Sequence, residues 1–425
     1  MSRRRYSIRK ILRFFLPLFL LIGVGVFLFN RYACQDSGIR KQQSAELGFR
    51  VMTADSIYKN LESKKLRRQQ KKLDSIFSKL QKTNGFNGTV LFAEKGRIIF
   101  QKAYGYADVR RRKGLLTLDS QFGLASVSKM FTATAIMILH EEGKLNYDDD
   151  VRKYIPEWPY EGVTIRNLLN HRSGMPRYEV LADEKWSDQS VPLFNEDMIR
   201  LFVVHRPESY FKPDGGFHYC NTNFALLGSV VERVSKRNFE DFMHDRVFEP
   251  AGMRHSFIYS LRGLAQLPEN IDRGVPGFDA RRKGFIEVPN NYLNGVMGDK
   301  IMYSTVGDLF QFDKALYNEV LVKAATLKEA FTPGSENRRR TADNYGFGWR
   351  TRADADSTVY HYGWWKGFRT FFIRDMNQQR TLIVLTNKDK GPGSEHLWEI
   401  IEDQKFKLFP SSVNMQFERD RGLWQ

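Results

Sequence analysis

Ser126 and Lys129 stand three residues apart at the end of the stretch QFGLASVSK, and an apolar run, FTATAIMIL, follows shortly after. At helical spacing the two side chains lie on one face, one turn apart. A lysine amine held beside a serine hydroxyl can take its proton when the amine is uncharged, a state that burial or a cationic neighbour favours. Such a pair makes a nucleophile without a histidine. By itself Ser-x-x-Lys also describes a serine at a helix start followed by an exposed lysine, so the context has to decide.

Two further sets of residues supply that context. Phe217-His218-Tyr219-Cys220-Asn221-Thr222-Asn223 follows the turn signal Pro213-Asp214-Gly215-Gly216 and precedes the helix pattern FALLG. A tyrosine on such a loop can face a cleft, and a phenol beside a lysine ammonium loses its proton more readily; the alternative is a core tyrosine. Asn221 can hydrogen-bond both the lysine and a substrate amide. Thr222 or Asn223 is expected to cap the helix. The third set, His361-Tyr362-Gly363-Trp364-Trp365-Lys366-Gly367-Phe368, lies between two strand-like runs. Gly363 lets backbone approach a ligand closely. A strand edge there can offer one backbone N–H of an oxyanion hole, and the N–H of Ser126 the other.

The elements that must position these residues are legible in outline. Leu73, Ile76, Phe77 and Leu80 recur at helical spacing between Gln69 and Lys82 and predict an amphipathic helix docked on the main body. Two β-rich runs then flank Glu94-Lys95-Gly96, a hairpin signal. Helix patterns dominate residues 140–260, and TVGDLFQFDKALYN adds another after 300. YGFGWRTR, STVYHYGW, GFRTFFIRD and RTLIVLTNK form a strand-rich tail, and EHLWEIIEDQKF predicts a closing helix. Strands at both ends with helices between them predict an α+β fold: one antiparallel sheet built from both termini, with a mainly helical lobe inserted. The cleft between sheet and lobe is the natural binding site.

Composition narrows the function classes. The 425 residues are 42% hydrophobic, enough for a sizeable core, and carry a formal charge of +17. Residues 1–82 hold 19 Lys/Arg against 5 Asp/Glu and so account for +14 of it. The remaining body is near balance, which argues against nucleic acid as a partner. Five positive charges in the first ten residues precede the apolar run Phe14–Phe29. That run is short for a spanning helix, but Ile11, Leu12 and a snorkelling Arg13 extend it. Its basic flank would stay in the cytoplasm and the bulk of the chain outside. A cleaved signal peptide is the competing reading, although no small-x-small site follows Phe29 and Arg31-Tyr32-Ala33 before Cys34 lacks a lipobox aliphatic. The expected organisation is a cytoplasmic tail and anchor over 1–30, a polar charged linker over 31–68, a catalytic domain over 69–412 and a tail over 413–425. The basic segment can also contact anionic lipid or an acidic wall polymer. Cys34 and Cys220 are the two cysteines. Neither a disulfide framework nor a metal site is expected, and no cofactor-binding motif is present.

The three sets, in this order, resemble the serine β-lactamase and penicillin-binding protein superfamily, in its class C β-lactamase-like branch of D-alanyl-D-alanine carboxypeptidases, D-aminopeptidases and carboxylesterases. The likeness runs over about residues 70–410. It rests on Ser126–Lys129, on Tyr219–Asn221 and on His361–Gly363, with LLNHRSGMP (Leu168–Pro176), YGFGW (Tyr345–Trp349) and MYSTVGDL (Met302–Leu309) as secondary marks. Class A enzymes carry Ser-Asp-Asn in the second place, where this chain has a tyrosine. The resemblance implies a β-lactamase/transpeptidase-like fold and an acyl-serine intermediate on Ser126. Lys129 and Tyr219 would share the activating proton, and either can be the base. Asn221 would orient Lys129 and substrate, and His361 would replace a third-motif lysine. The N–H groups of Trp364 and Ser126 would hold the oxyanion. His361-Tyr362-Gly363 in place of Lys-Thr-Gly weakens a β-lactam hydrolase reading, because histidine is mostly neutral at pH 7 and tyrosine is bulky. Arg369 can bind a carboxylate or serve the surface. His171 is read as structural support for the cleft. His218 either tunes Tyr219 or is an exposed loop histidine. Ser128 and Cys220 are read as buried, supporting residues. The expected function is an extracytoplasmic serine hydrolase of an amide or ester, foremost a cell-wall peptide. The alternatives are a carboxylesterase, or a catalytically weak envelope protein that binds peptidoglycan or a partner.

Overall fold

The computed structural model describes residues 64–267, 274–334, 345–351 and 358–389. The expected anchor, most of the linker, the closing helix and the tail lie outside the described residues. Among the described residues no helix is long and apolar enough to cross a membrane.

Helix α1 (Lys64–Asn84) starts inside the expected linker, before Gln69. Lys, Arg and Gln propagate a helix well without burial, so the apolar stripe alone under-reads its length. That stripe, Leu73, Phe77 and Leu80, packs with Val90, Phe92, Phe100, Phe371, Ile373 and Val384 on one face of the sheet. The predicted hairpin forms from β1 (Gly88–Glu94) and β2 (Arg97–Tyr104). Lys95 and Gly96 both take positive φ (52° and 74°), the turn geometry that suits twisted strands.

The far end of the chain supplies β3 (Arg350–Thr351), β4 (Thr358–Trp365), β5 (Phe368–Asp375) and β6 (Arg380–Thr386). The sheet order is β3-β4-β5-β6-β1-β2. The two ends of the domain meet at the antiparallel β6–β1 pair, in register at Val90 and Val384. This is the predicted sheet. Its β3 is shorter than YGFGWRTR led us to expect. The chain turns at Gly348 (φ 75°), where a Cβ would lie 2.8 Å from both the Ala133 Cβ and the Lys129 carbonyl oxygen.

Between the two halves runs the helical lobe: α2 (Ser128–Glu141), α3 (Ile165–Leu169), α4 (Tyr178–Lys185), α5 (Asn195–His205), α6 (Asn221–Ser235) and then α7 (Val306–Tyr317). Helix α2 is buried on every side from Ser128 to Leu139, as a helix apolar all round must be. Phe131 of α2 lies 4.2 Å from Phe312 of α7, which in turn lies 6.3 Å from Phe372 of the sheet. This aromatic chain ties the central helix to the strands.

The sheet also buries a charge pair. Arg374 Nε donates to Asp313 Oδ1 at 2.6 Å, Thr381 Oγ1 donates to Oδ2 at 2.6 Å, and the guanidinium lies 4.4 Å from the Tyr317 ring centroid. Neither charged residue is more than 1% exposed. Removing one partner leaves the other buried without its counter-charge. Arg374→Met should therefore cost about 3–5 kcal/mol in urea denaturation, and Asp313→Leu added to it should recover much of the loss. A single-variant loss under about 1 kcal/mol, the scale of a surface pair, would contradict this.

Candidate active site

Ser126 sits in a 3-10 turn (Ala125–Val127) that leads directly into α2. From Phe122 to Leu139 it is the one residue that is not buried. The preceding Ala125 is held at φ 50°, a left-handed conformation that costs about 1–3 kcal/mol for a residue with a side chain. The turn is clamped from two sides to sustain it. Leu124 N–H donates to the Met302 carbonyl at 2.7 Å, and Thr370 Oγ1 donates to the Leu124 carbonyl at 2.7 Å. Ser128 is buried, and its hydroxyl accepts the Met302 N–H at 3.3 Å.

Lys129 is wholly buried, and its amine reaches two acceptors. Nζ lies 3.2 Å from Ser126 Oγ and 2.8 Å from the Asp299 carbonyl oxygen. It also lies 5.1 Å from the centroid of the Tyr219 ring and 5.7 Å from that of Phe224. The structure thus brings Ser126, Lys129 and Tyr219 together from a turn, a buried helix and a distant loop.

His171 holds Tyr219 in place. Its carbonyl accepts the His218 N–H at 3.0 Å, and its Nδ1 accepts the Cys220 N–H at 3.2 Å, so one residue clamps the backbone on both sides of the tyrosine. Asn223 Nδ2 approaches the same Nδ1 at 3.0 Å and is itself fixed by Ser173. The proton of the neutral ring is therefore on Nε2. His171 pays for this with a φ of 59°. Burial, and then the nearby Lys129 charge, holds its imidazole well below the ordinary histidine range.

Thr222 and Asn223 do not cap α6, contrary to expectation. Thr222 Oγ1 accepts the Tyr178 N–H at 2.8 Å and donates to the Pro176 carbonyl at 2.7 Å, while Asn223 serves His171. Both side chains are buried and are recruited by the neighbouring loop. Asn221 is also placed differently. Its amide donates to Glu179 Oε1 at 2.5 Å, and the carbonyl that holds Lys129 belongs to Asp299. Cys220 is buried, and burial pushes its thiol up to about 12, which leaves it inert at neutral pH.

Strand β4 forms the other wall. A Cβ on Gly363 would fall 2.3 Å from the Leu124 carbonyl oxygen and 2.9 Å from the Ala125 Cβ. Only glycine lets the strand approach the Ser126 turn so closely, and this sets the Gly363–Trp364 peptide beside that turn. The Trp364 indole is 40% exposed, with the Arg369 guanidinium 4.2 Å from its centroid. Arg369 also donates to the Asp389 carbonyl at 2.8 Å, which assigns it to the rim.

His361 was expected to meet substrate. It is instead 1% exposed and bonded within the protein through both nitrogens. Nδ1 lies 2.8 Å from the Tyr362 carbonyl oxygen and Nε2 lies 2.8 Å from Tyr345 Oη. A carbonyl only accepts, so Nδ1 carries the proton and Nε2 accepts from the phenol. Burial, then Arg350 and Lys129, hold this imidazole too well below the ordinary range.

Sequence reasoning missed Arg350, Glu179, Tyr178 and the Asp299–Lys300 pair. Arg350 is 4% exposed, and its guanidinium lies 5.2 Å from the Tyr219 ring centroid and 4.6 Å from that of Tyr362. It brings a fixed positive charge to the tyrosine. A usable signal was present for Asp299 and Lys300: adjacent opposite charges inside the otherwise uncharged stretch Val296–Thr305. The described residues also hold one trio within metal-ligand reach, His244, Asp245 and Glu249, which sequence spacing did not single out. All three are exposed, and nothing else among the described residues points to a ligand there.

Comparison with known proteins agrees with this geometry. The beta-lactamase family model matches residues 73–405. The chain belongs to the beta-lactamase family. Penicillin-binding protein 4* of Bacillus subtilis is 37% identical over 353 residues, which cover 80% of this chain and 76% of that one. The crystal structure of a penicillin-binding protein from Bacillus halodurans superposes with a TM-score of 0.63 at 27% identity, covering 79% of this chain and 96% of that one. A D-stereospecific amidohydrolase from Streptomyces, 21% identical and covering 80% and 98% of the two chains, shares the fold with a TM-score of 0.62. The family is one of serine hydrolases of the β-lactamase and penicillin-binding protein fold.

Gly363→Ala should displace β4 from the Ser126 turn and lower the rate of Ser126 acylation about 100-fold, the usual effect of an ångström-scale misplacement, with the fold retained by circular dichroism. An unchanged rate would mean that the close approach is not needed. His171 and His361 are neutral in the folded state, whereas in the unfolded chain they take up protons below about pH 6.5. Folded stability is then fully present above that pH and falls as pH drops, by up to about 1.4 kcal/mol per unit for each ring. His361→Gln should shrink the stability difference between about pH 7 and 5 in denaturation curves; an equal difference would contradict the assignment.

Proposed function

We propose that the chain is an extracytoplasmic serine hydrolase that cleaves an amide or ester through an acyl-serine intermediate, acting on a cell-wall peptide in a D,D-peptidase-like reaction. The observation that carries this reading is the Lys129 amine 3.2 Å from the hydroxyl of Ser126, the one open residue of its segment. Ser126 Oγ attacks the substrate carbonyl as its proton passes to the Lys129 and Tyr219 pair. Negative charge then develops on the carbonyl oxygen, where the backbone N–H groups of Ser126 and Trp364 stabilise it. Tyr219 returns the proton to the leaving group, and water enters by the reverse path. Arg350 keeps the site electropositive, which suits the oxyanion and a substrate carboxylate.

The penicillin-binding names of the relatives support a peptide of the cell wall. The basic tail and apolar run of residues 1–30 support a membrane anchor with the catalytic domain outside the cytoplasm. The class C-like branch is supported by Tyr219 in the second motif and His361 in the third. The internal bonding of His361 favours a second reading, a carboxylesterase, because no third-motif lysine waits for a substrate carboxylate.

Intact-mass labelling with a fluorophosphonate and, separately, with a penicillin tests these readings. An adduct on the wild-type chain that is absent from Ser126→Ala is the expected result, with Lys129→Ala slowing labelling at least about 100-fold. A stable penicillin adduct supports the peptidase, and a fluorophosphonate adduct alone the esterase. No adduct from either reagent on the folded protein would sink the hydrolase and leave a binding protein.

A further inference from the structure

Behind the Lys129 amine lies a buried charge pair that the reaction as described does not use. Asp299, whose carbonyl accepts from Lys129, is wholly buried, and Lys300 is 3% exposed. Lys300 Nζ lies 2.8 Å from Asp299 Oδ2. Tyr178 Oη donates to the same Oδ2 at 3.1 Å and accepts from Lys300 Nζ. The lysine lies against aromatic faces as well, 4.8 Å from the Tyr178 centroid and 5.0 Å from that of Trp365. Asp299 Oδ1 is buried with no hydrogen-bond partner among the described residues.

The segment around the pair is pinned at successive residues. The Gly298 carbonyl accepts from Thr132 Oγ1 at 2.6 Å. Ile301 is held at φ 72°, a conformation that a β-branched residue adopts only under constraint. Met302 bonds Ser128 through its N–H and Leu124 through its carbonyl. Tyr178 in turn is fixed by its N–H to Thr222, three residues after Tyr219 on the same loop and helix start.

A buried ion pair is poor value for stability alone, because apolar residues of the same volume often do better. Next to a proton acceptor its charges act at short range and in a low dielectric. We propose that Asp299, Lys300 and Tyr178 are positioning residues for acyl transfer: they fix the carbonyl that aims the Lys129 amine at Ser126, and their opposite charges offset one another in the field at that amine. This rests on the reading that Lys129 takes the serine proton. The other groups facing the amine are Ser126 from its own turn, Tyr219 and Phe224 from α6 and the loop before it, His171 after α3 and His361 on β4, with Arg350 of β3 behind Tyr219. Both histidines are neutral and Arg350 is permanently charged, so these groups stay constant when the pair is altered.

The test is the pH dependence of single-turnover acylation of Ser126 by a fluorophosphonate in the full chain. Lys300→Met leaves Asp299 uncompensated, favours the charged amine and should move the acidic limb up by about one pH unit. Asp299→Asn leaves Lys300 uncompensated and should move the limb down by a similar amount. Lys300→Arg should keep the wild-type limb, and the double variant should return towards it. Opposite shifts support the proposal. Limbs that stay in place, or move the same way, with only thermal stability lowered, overturn it. Should Lys300→Met fail to fold, Asp299→Asn and Lys300→Arg decide by the same signs. A wild-type chain that is never acylated overturns the hydrolase reading and this proposal with it, and that outcome is distinct from an acylated wild type whose variants do not shift.

Discussion

An amine buried in an apolar helix must find acceptors, and Lys129 finds two: the hydroxyl of Ser126 and the carbonyl of Asp299. Leaving such a group unsatisfied would be costly in the interior. Much of the domain can be read as meeting that demand. The left-handed Ala125 turns Ser126 towards the amine, Thr370 and Met302 hold that turn, and the tightly bonded 298–302 segment presents the second acceptor. The same contacts that make the helix tolerable in the core also hold the amine within hydrogen-bond distance of the serine hydroxyl.

The walls around the pair come from parts of the chain that are far apart in sequence. The sheet closes only when β6 reaches β1, and through β5 and β4 it carries Gly363 to the Ser126 turn. On the other side, Gly348 lets the Tyr345–Trp349 turn pack directly on the backbone of Lys129. Arg350 follows it into the site beside Tyr219. Two neutral histidines act as internal fasteners. His171 clamps the backbone around Tyr219, and His361 binds Tyr345. Their burial removes them from acid–base exchange near neutral pH and makes them geometric parts.

Much of the fold was legible because its signals are local. The stripe Leu73, Phe77 and Leu80, the Lys95-Gly96 turn and the alternating strands of the far end each state their structure within a few residues. The limits of α1 and the shortness of β3 were not, because one depends on propensity beyond the buried stripe and the other on Gly348 meeting α2. In the site, the spacing of Ser126 and Lys129 was readable because one helical turn links them. Asn221, Thr222 and Asn223 were misplaced because their partners, Glu179, Tyr178, Pro176 and His171, lie about 40 to 50 residues away.

The sequence by itself determined which groups are available and which of them share a local frame: a serine one turn before a lysine at a helix start, a tyrosine before another helix, a glycine in a strand. Those relations follow from backbone periodicity, which needs no knowledge of the rest of the chain. Only the tertiary structure decided which carbonyl receives the lysine, that both nitrogens of His361 are used internally, and that Arg350 and the Asp299–Lys300 pair bring charge to the cleft. Those outcomes depend on distance and burial across segments that no sequence interval encodes.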